Sequence, residues 1–234
     1  MHDPTADGAD VEAFVAKWRG AWPEWAMVEN FLPAARRPLV DAWQALQFEW
    51  QEAAWGGADA RPGEAKLAWW IEELDGWAKG RRRHPLGAVL LRGAAPWREV
   101  AVALPALLAT RERPLSPDSA WSALDPVAGA VAQVDAALFG GQADAAAVTA
   151  CWLHARLARH PENALPPSAG GEDAAQARRL AATALLARWP RTRGVGAPRG
   201  IALALARRRL VRGDAAAPLT PWSALWAGWR GARG

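Results

Sequence analysis

The sequence predicts an all-α protein folded as a single domain. Apolar residues recur every three or four positions along most of the 234-residue chain, no segment alternates apolar and polar residues as a strand would, and Pro- or Gly-rich breaks separate the helical segments. No fixed-period repeat and no shift of composition marks a domain boundary. The whole chain, 1–234, is therefore predicted to be one helical domain with flexible tails at 1–10 and 231–234.

The helices can be placed from their start and stop signals. Asp10 is a residue type that caps helices, so the first helix is predicted to follow it and to end before Pro23. The second covers 34–55 and ends at Gly56. Further helices are predicted at 85–93, 96–111, 125–139, 143–160, 172–189, 198–212 and 219–230.

Residues 64–85, EAKLAWWIEELDGWAKGRRRHP, have the strongest helical pattern in the chain. Glu64 suits the positive end of a helix dipole, Gly80 is a natural stop, and Pro85 forbids continuation at its own position. One face of this helix is apolar, and it consists of Leu67, Trp70, Leu74 and Trp77.

Composition narrows the class of protein. The chain has 16 Trp and no Tyr, and its arginine excess is spread along the chain without a strand pattern, which argues against a nucleic-acid partner. Cys151 is the only cysteine, so an internal disulfide is excluded. The polar N-terminus does not resemble a signal peptide, and the longest apolar run, 100–109, is too short to span a bilayer. A cytoplasmic protein is predicted, with peripheral membrane contact left open.

At KLAWWIEEL…GRRRHPL the sequence resembles the squalene/phytoene synthase family of head-to-head prenyltransferases, especially its bacterial and mitochondrial outliers. The specific part of this resemblance is 64–90, and a looser one extends over 25–215. The resemblance implies a helical bundle of the isoprenoid synthase type around an apolar cavity. In that family, two acidic motifs hold Mg²⁺ and the diphosphate of farnesyl or geranylgeranyl diphosphate. It also implies a candidate pocket lining, made of Phe48, Trp69, Trp70 and Trp77, although aromatic residues at helical spacing also suit a plain core.

The chain departs from the family where the acidic motifs are expected. In place of two aspartates it has Glu49 and Glu52, which share a helix face at i,i+3 and are the candidate metal or diphosphate ligands. In place of the second motif it has His154 and Arg156. Arginine repels Mg²⁺ but can pair directly with phosphate, so Arg156 is a candidate diphosphate ligand.

Three functions are compatible with these residues. The leading hypothesis is a catalytically degenerate family member that binds an isoprenoid diphosphate or a protein partner. The alternative is an active Mg²⁺-dependent prenyltransferase that recruits further acids such as Asp41 or Asp144. The third is a peripheral membrane or interaction module, for which an exposed stripe is predicted at Trp222, Trp226 and Trp229.

Overall fold

The computed structural model describes residues 4–167, 174–191 and 193–234, and these ranges contain helices and no strand. The all-α prediction is therefore confirmed. Within the same ranges, no helix combines the length and apolar content needed to span a bilayer. The helices are α1 (Pro4–Ala21), α2 (Trp25–Val28), α3 (Arg37–Trp55), α4 (Arg61–Trp77), α5 (Gly87–Leu90), α6 (Trp97–Ala103), α7 (Pro105–Ala109), α8 (Pro117–Ser122), α9 (Asp125–Phe139), α10 (Ala145–Arg159), α11 (Pro161–Ala164), α12 (Ala174–Ala187), α13 (Ala197–Val211) and α14 (Pro221–Arg233), with short 3₁₀ turns at Glu29–Phe31 and Ala34–Arg36.

Several helix boundaries differ from the sequence prediction, and the short helices α2, α8 and α11 were not predicted. Helix α1 runs through Asp10 instead of starting after it. The helix expected at 96–111 is split into α6 and α7, because Pro105 has no N–H to continue the first helix and begins the second one. Helix α14 extends to Arg233, into the segment expected to be a tail. Helix α8 was not predicted at all, since its sequence had the composition of a loop.

The core is built around α3 and α4, and indole rings fill much of it. Trp43 and Trp50 on α3 are completely buried, and their ring centroids lie 5.8 Å apart at an interplanar angle of 84°. Trp50 also packs edge to face against Trp70 of α4, and Trp70 packs edge to face against Trp77. Edge-to-face packing lets large aromatic rings fill space densely. The face of α4 predicted from Leu67, Trp70, Leu74 and Trp77 is buried as expected.

Arg83, the last of the three arginines after α4, has a structural role that the sequence did not reveal. Glu73 is buried, and it accepts hydrogen bonds from the backbone N–H groups of Arg83 at 2.6 Å and His84 at 2.7 Å. The Arg83 side chain also donates to Glu73 at 2.9 Å and lies 5.3 Å over the ring of Trp69. Burial opposes ionisation of Glu73, but these bonds hold its pKa below the ordinary value. The carboxylate thus ties the basic segment back onto α4.

His84 makes the stability of this turn dependent on pH. Its ring is packed against Trp70, its Nδ1 accepts from Leu86 N at 3.2 Å, and burial lowers its pKa to about 4. The unfolded chain therefore binds a proton more readily than the folded one between that value and the ordinary pKa of about 6.5, so stability is lost as the pH falls through this window. We expect the free energy of unfolding to fall by up to about 1.4 kcal/mol per pH unit from this group.

The check is urea denaturation of the parent and His84→Asn at several pH values from about 7 down to about 4.5. Asparagine keeps an acceptor for the Leu86 N–H but does not titrate, so its profile should be shallower. Burial lowers the pKa of His154 to about 3, but this residue is present in both proteins. Its contribution to the pH dependence of stability therefore cancels when the two profiles are compared. Parallel profiles would contradict the role assigned to His84.

Candidate functional site

The first predicted ligand, Glu49, is already bound by two lysines. It lies on α3 with 1% of its surface exposed, and Lys17 of α1 donates to it at 2.7 Å. Lys66 of α4 donates to its other carboxylate oxygen. Burial alone would raise the pKa of Glu49, but the two lysines lower it below its ordinary value. Two of the three lysines in the chain therefore neutralise this one carboxylate.

The second predicted ligand, Glu52, faces a different pair of basic groups. His160 Nε2 donates to its Oε1 at 2.8 Å, and Arg159 lies 2.9 Å from the same oxygen. Burial opposes ionisation, but both neighbours favour the carboxylate and lower its pKa. Glu52 thus joins α3 to the C-terminal end of α10. Although Glu49 and Glu52 are three residues apart, each carboxylate is directed at its own cationic partners.

These residues do not fit Mg²⁺, which requires several oxygen ligands around one point. Asp41 pairs with Arg19 at 2.8 Å, and Asp144 caps α10 by accepting from Ala147 N at 2.9 Å, so neither approaches Glu49 and Glu52 as a further ligand. In the part of the chain that the structure describes, no group of three or more His, Cys, Asp or Glu side chains is placed to hold a metal ion.

The space between α1, α3, α10 and α13 is a narrow cleft of about 80 Å³. At about 30 Å³ per water molecule it holds only a few waters, and it is too small for a prenyl chain. Phe48 lines this cleft, whereas Trp70 and Trp77 are packed in the core and Trp69 is half-buried beneath Arg83. Of the four aromatic residues predicted to line a pocket, Phe48 therefore borders this cleft and the other three lie outside its lining.

Two buried arginines of α13 border the same region, and each has a carboxylate partner. Arg199 donates to Asp135 at 2.7 Å and to Gln47 at 2.8 Å. Arg209 makes a two-pronged contact with Glu24, at 3.0 and 2.5 Å. These pairs satisfy the rule that a buried charge is stable only when it is paired and hydrogen-bonded.

A larger cavity of about 720 Å³ lies elsewhere, between α8, α10 and α12. We call it the Arg156 cavity. Its walls are mostly apolar side chains, among them Trp121, Leu153, Leu157, Leu180 and Leu185. Its size is within the range of cavities that enclose small organic ligands, about 300–1,000 Å³. The cavity is thus suited to an extended apolar molecule.

Arg156 is the charged group in the wall of this cavity that has no carboxylate partner among the described residues. It is 2% exposed, and its Nη2 donates to the backbone carbonyls of Glu112 at 2.8 Å and Asn163 at 2.6 Å. The Nε group is buried without a hydrogen-bond partner, and burial lowers the pKa of Arg156 to about 10. Since guanidinium remains charged at neutral pH, the cavity contains a positive charge that no described carboxylate neutralises.

The surroundings of Arg156 hold it in place. The guanidinium lies 5.7 Å over the ring of Trp55, and Asn163, which accepts one of its bonds, donates to the Trp55 carbonyl at 3.1 Å. Arg113 supports the adjacent rim by donating to the carbonyls of Leu165 at 2.8 Å and Pro166 at 2.6 Å. A preorganised cation loses little conformational entropy when it binds an anion.

The sequence had indicated Arg156 as a phosphate ligand but not the cavity around it. The cavity depends on α8, and a signal for that helix was present in Ser116-Pro117. A Ser followed by Pro is typical of a helix start, and Ser116 forms a reciprocal capping box with Ser119. Recognising α8 would have placed Trp121 on a helix, while its position opposite α10 is a matter of tertiary packing.

The chain matches no protein-family model and no curated protein. Among solved structures it is similar to the crystal structure of squalene synthase HpnC from Alicyclobacillus acidocaldarius, with 16% sequence identity and a TM-score of 0.49. This similarity covers 99% of the present chain and 93% of that one.

Proposed function

We propose that the protein binds an isoprenoid-like amphiphile with an anionic head, such as an isoprenoid diphosphate, and does not condense it with a second one. The observation that carries this proposal is the unpaired Arg156 guanidinium in an apolar cavity of about 720 Å³. A ligand of this kind supplies both missing partners. Its head neutralises the buried cation, and its hydrocarbon chain covers the apolar wall.

The contrast with Arg199 and Arg209 supports an external anion. All three arginines are nearly inaccessible to water, and Arg199 and Arg209 each have a carboxylate within about 3 Å. Among the described residues, the hydrogen-bond partners of Arg156 are carbonyl oxygens. Carbonyl dipoles offset part of the desolvation cost of a guanidinium but do not neutralise it. A bound phosphate or diphosphate would neutralise it through charge-assisted hydrogen bonds to the guanidinium.

The absence of condensation is inferred from Glu49 and Glu52. Ionising an allylic diphosphate requires several positive charges to stabilise the departing anion, usually metal ions held by carboxylates. In this chain both carboxylates are bound by lysine, arginine or histidine, so a metal ion would have to displace four basic groups. We therefore expect binding of the diphosphate that does not depend on Mg²⁺.

The test is calorimetric titration of a non-hydrolysable farnesyl diphosphate analogue, with Mg²⁺ and with a chelator. Replacement of Arg156 by methionine should weaken binding by about 10- to 100-fold, because hydrogen bonds to a charged group contribute about 1.5–3 kcal/mol. Arg179→Met removes an exposed arginine of α12 outside the cavity wall and should bind like the parent. Farnesol, which lacks the anionic head, should bind more weakly than the analogue.

A second variant tests the cavity in case Arg156→Met has a folding defect. Ala184→Trp places an indole in the cavity from α12 while leaving Arg156 and its carbonyl partners intact, and it should also abolish binding. Thermal unfolding of each variant shows whether it is folded. Binding that requires Mg²⁺, release of a condensed hydrocarbon product, or equal affinity in the parent, Arg156→Met and Ala184→Trp would each contradict the proposal.

A further inference from the structure

The outer face of α14 is an exposed aromatic and basic surface that no other element covers in the described structure. Trp222 is 83% exposed and Trp226 is 60% exposed, and Trp229 is half-buried beside them. The spacing of i, i+4 and i+7 places these three indoles on one stripe. The rings of Trp226 and Trp229 are stacked at 5.2 Å, and Arg233 lies 4.3 Å over Trp229. We call this stripe, together with Arg230 and Arg233, the α14 face.

The indoles point outward because the opposite side of α14 is made of small residues that pack closely on the body of the protein. A Cβ atom on Gly200 of α13 would lie 2.2 Å from the carbonyl oxygen of Gly231. A Cβ on Gly228 would lie 2.5 Å from Val28. This contact leaves no room for α14 to rotate and bury its tryptophans, so the exposed stripe is a fixed feature of the fold.

The charge around the α14 face is strongly positive. From residue 174 to residue 234 the chain has 12 arginines and a single acidic residue, Asp214, while residues 1–173 contain 16 basic and 23 acidic side chains. Arg207 and Arg208 are exposed on the adjacent α13, and Arg212 is exposed directly after its end. Arg208 donates to Ser223 of α14 at 3.2 Å. The positive charge is therefore concentrated in the part of the chain that carries the exposed indoles.

We propose that the α14 face docks on an anionic lipid bilayer, with α14 lying parallel to the membrane surface. Tryptophan has an apolar ring and a polar N–H, which suits the boundary between acyl chains and head groups. Arginines on the same helix and on α13 are attracted to anionic head groups. A helix with one exposed apolar stripe and basic flanks is the form expected for interfacial binding. This surface is separate from the Arg156 cavity, and the inference does not depend on the proposed function.

Co-sedimentation of the full chain with vesicles tests this docking. We expect the protein to pellet with vesicles containing phosphatidylglycerol at low salt, and binding to be reduced at high salt or with purely zwitterionic vesicles. Replacing both Trp222 and Trp226 by alanine should weaken partitioning by on the order of tenfold. The fluorescence maximum of the parent should shift to shorter wavelength on binding, and this shift should be lost in the double variant.

Matched changes on α6 provide the control. Val102 is 74% exposed and Arg98 is also exposed, so Val102→Ala and Arg98→Gln remove an apolar and a basic surface group away from α14. Both variants should bind vesicles like the parent. No binding to anionic vesicles, binding that is unchanged in the double tryptophan variant, or binding to an RNA oligomer in preference to vesicles would overturn the proposal.

Discussion

Replacing Glu24 by glutamine is expected to lower the free energy of unfolding by about 3–5 kcal/mol, the cost of leaving one member of a buried ion pair without its partner. Glu24 and Arg209 are 2% and 3% exposed, and they are joined by two hydrogen bonds. Glu24 also accepts from the backbone N–H of Leu219 at 2.6 Å. One carboxylate therefore connects the segment before α2, helix α13 and the approach to α14.

Urea denaturation followed by circular dichroism measures this loss. Glu99→Gln, which neutralises an exposed acid on α6, is the matched control and should change stability by no more than about 0.5 kcal/mol. The double variant Glu24→Met with Arg209→Leu should recover much of the stability, because apolar replacement of both partners removes the uncompensated charge. A loss below about 1 kcal/mol in Glu24→Gln would show that Arg209 reaches water in solution.

The second large effect is expected at Asp135 of α9, which binds Arg199 near the N-terminal end of α13. Asp135 binds Arg199 at 2.7 Å and accepts from Trp43 Nε1 at 2.7 Å. Gln47 completes the network by accepting from Arg199 at 2.8 Å and from Trp152 at 3.2 Å. Because asparagine keeps the acceptor for Trp43 but places no negative charge beside Arg199, Asp135→Asn should destabilise the protein by about 3–5 kcal/mol.

Asp125→Asn provides the control for this change on the same helix. Asp125 is exposed in the first turn of α9, where its charge interacts with the helix dipole, and its loss should cost about 0.3–1 kcal/mol. Denaturation of both variants under identical conditions gives the loss of stability in each. The difference between the two losses is the effect of the buried network, beyond the general effect of removing an acid. Equal losses in Asp125→Asn and Asp135→Asn would contradict the assignment of Arg199 as a buried charge that depends on Asp135.

These two arginines also explain why Arg156 is unusual. Arg199 and Arg209 each face an acid in the folded protein, so the network is complete within the chain. Arg156 has similar burial, but its hydrogen-bond partners within the described ranges are carbonyl oxygens, and no described group accepts from its Nε. A cation of this kind is costly to retain for stability alone. Its position in a large apolar cavity is the reason why we propose an anionic amphiphile as the ligand.

Local sequence patterns determined most of the helices. The face of Leu67, Trp70, Leu74 and Trp77 on α4 was predicted correctly, because an apolar residue every three or four positions is a property of one helix and needs no knowledge of its neighbours. The same reasoning placed α3, α9, α10 and α13 to within a few residues. It missed α8, whose Ser116 cap lies in a Pro- and Ser-rich stretch.

The candidate site was decided by tertiary structure. Glu49 and Glu52 were expected to act together because they share a helix face, but their environment is set by Lys17, Lys66 and His160, which are remote in sequence. Likewise, the sequence shows that Arg156 is an arginine on a helix, but not that it lies in a cavity wall where its described partners are carbonyl oxygens. A side chain's charge balance depends on every element packed against it, whereas helical periodicity depends only on residues one or two turns away.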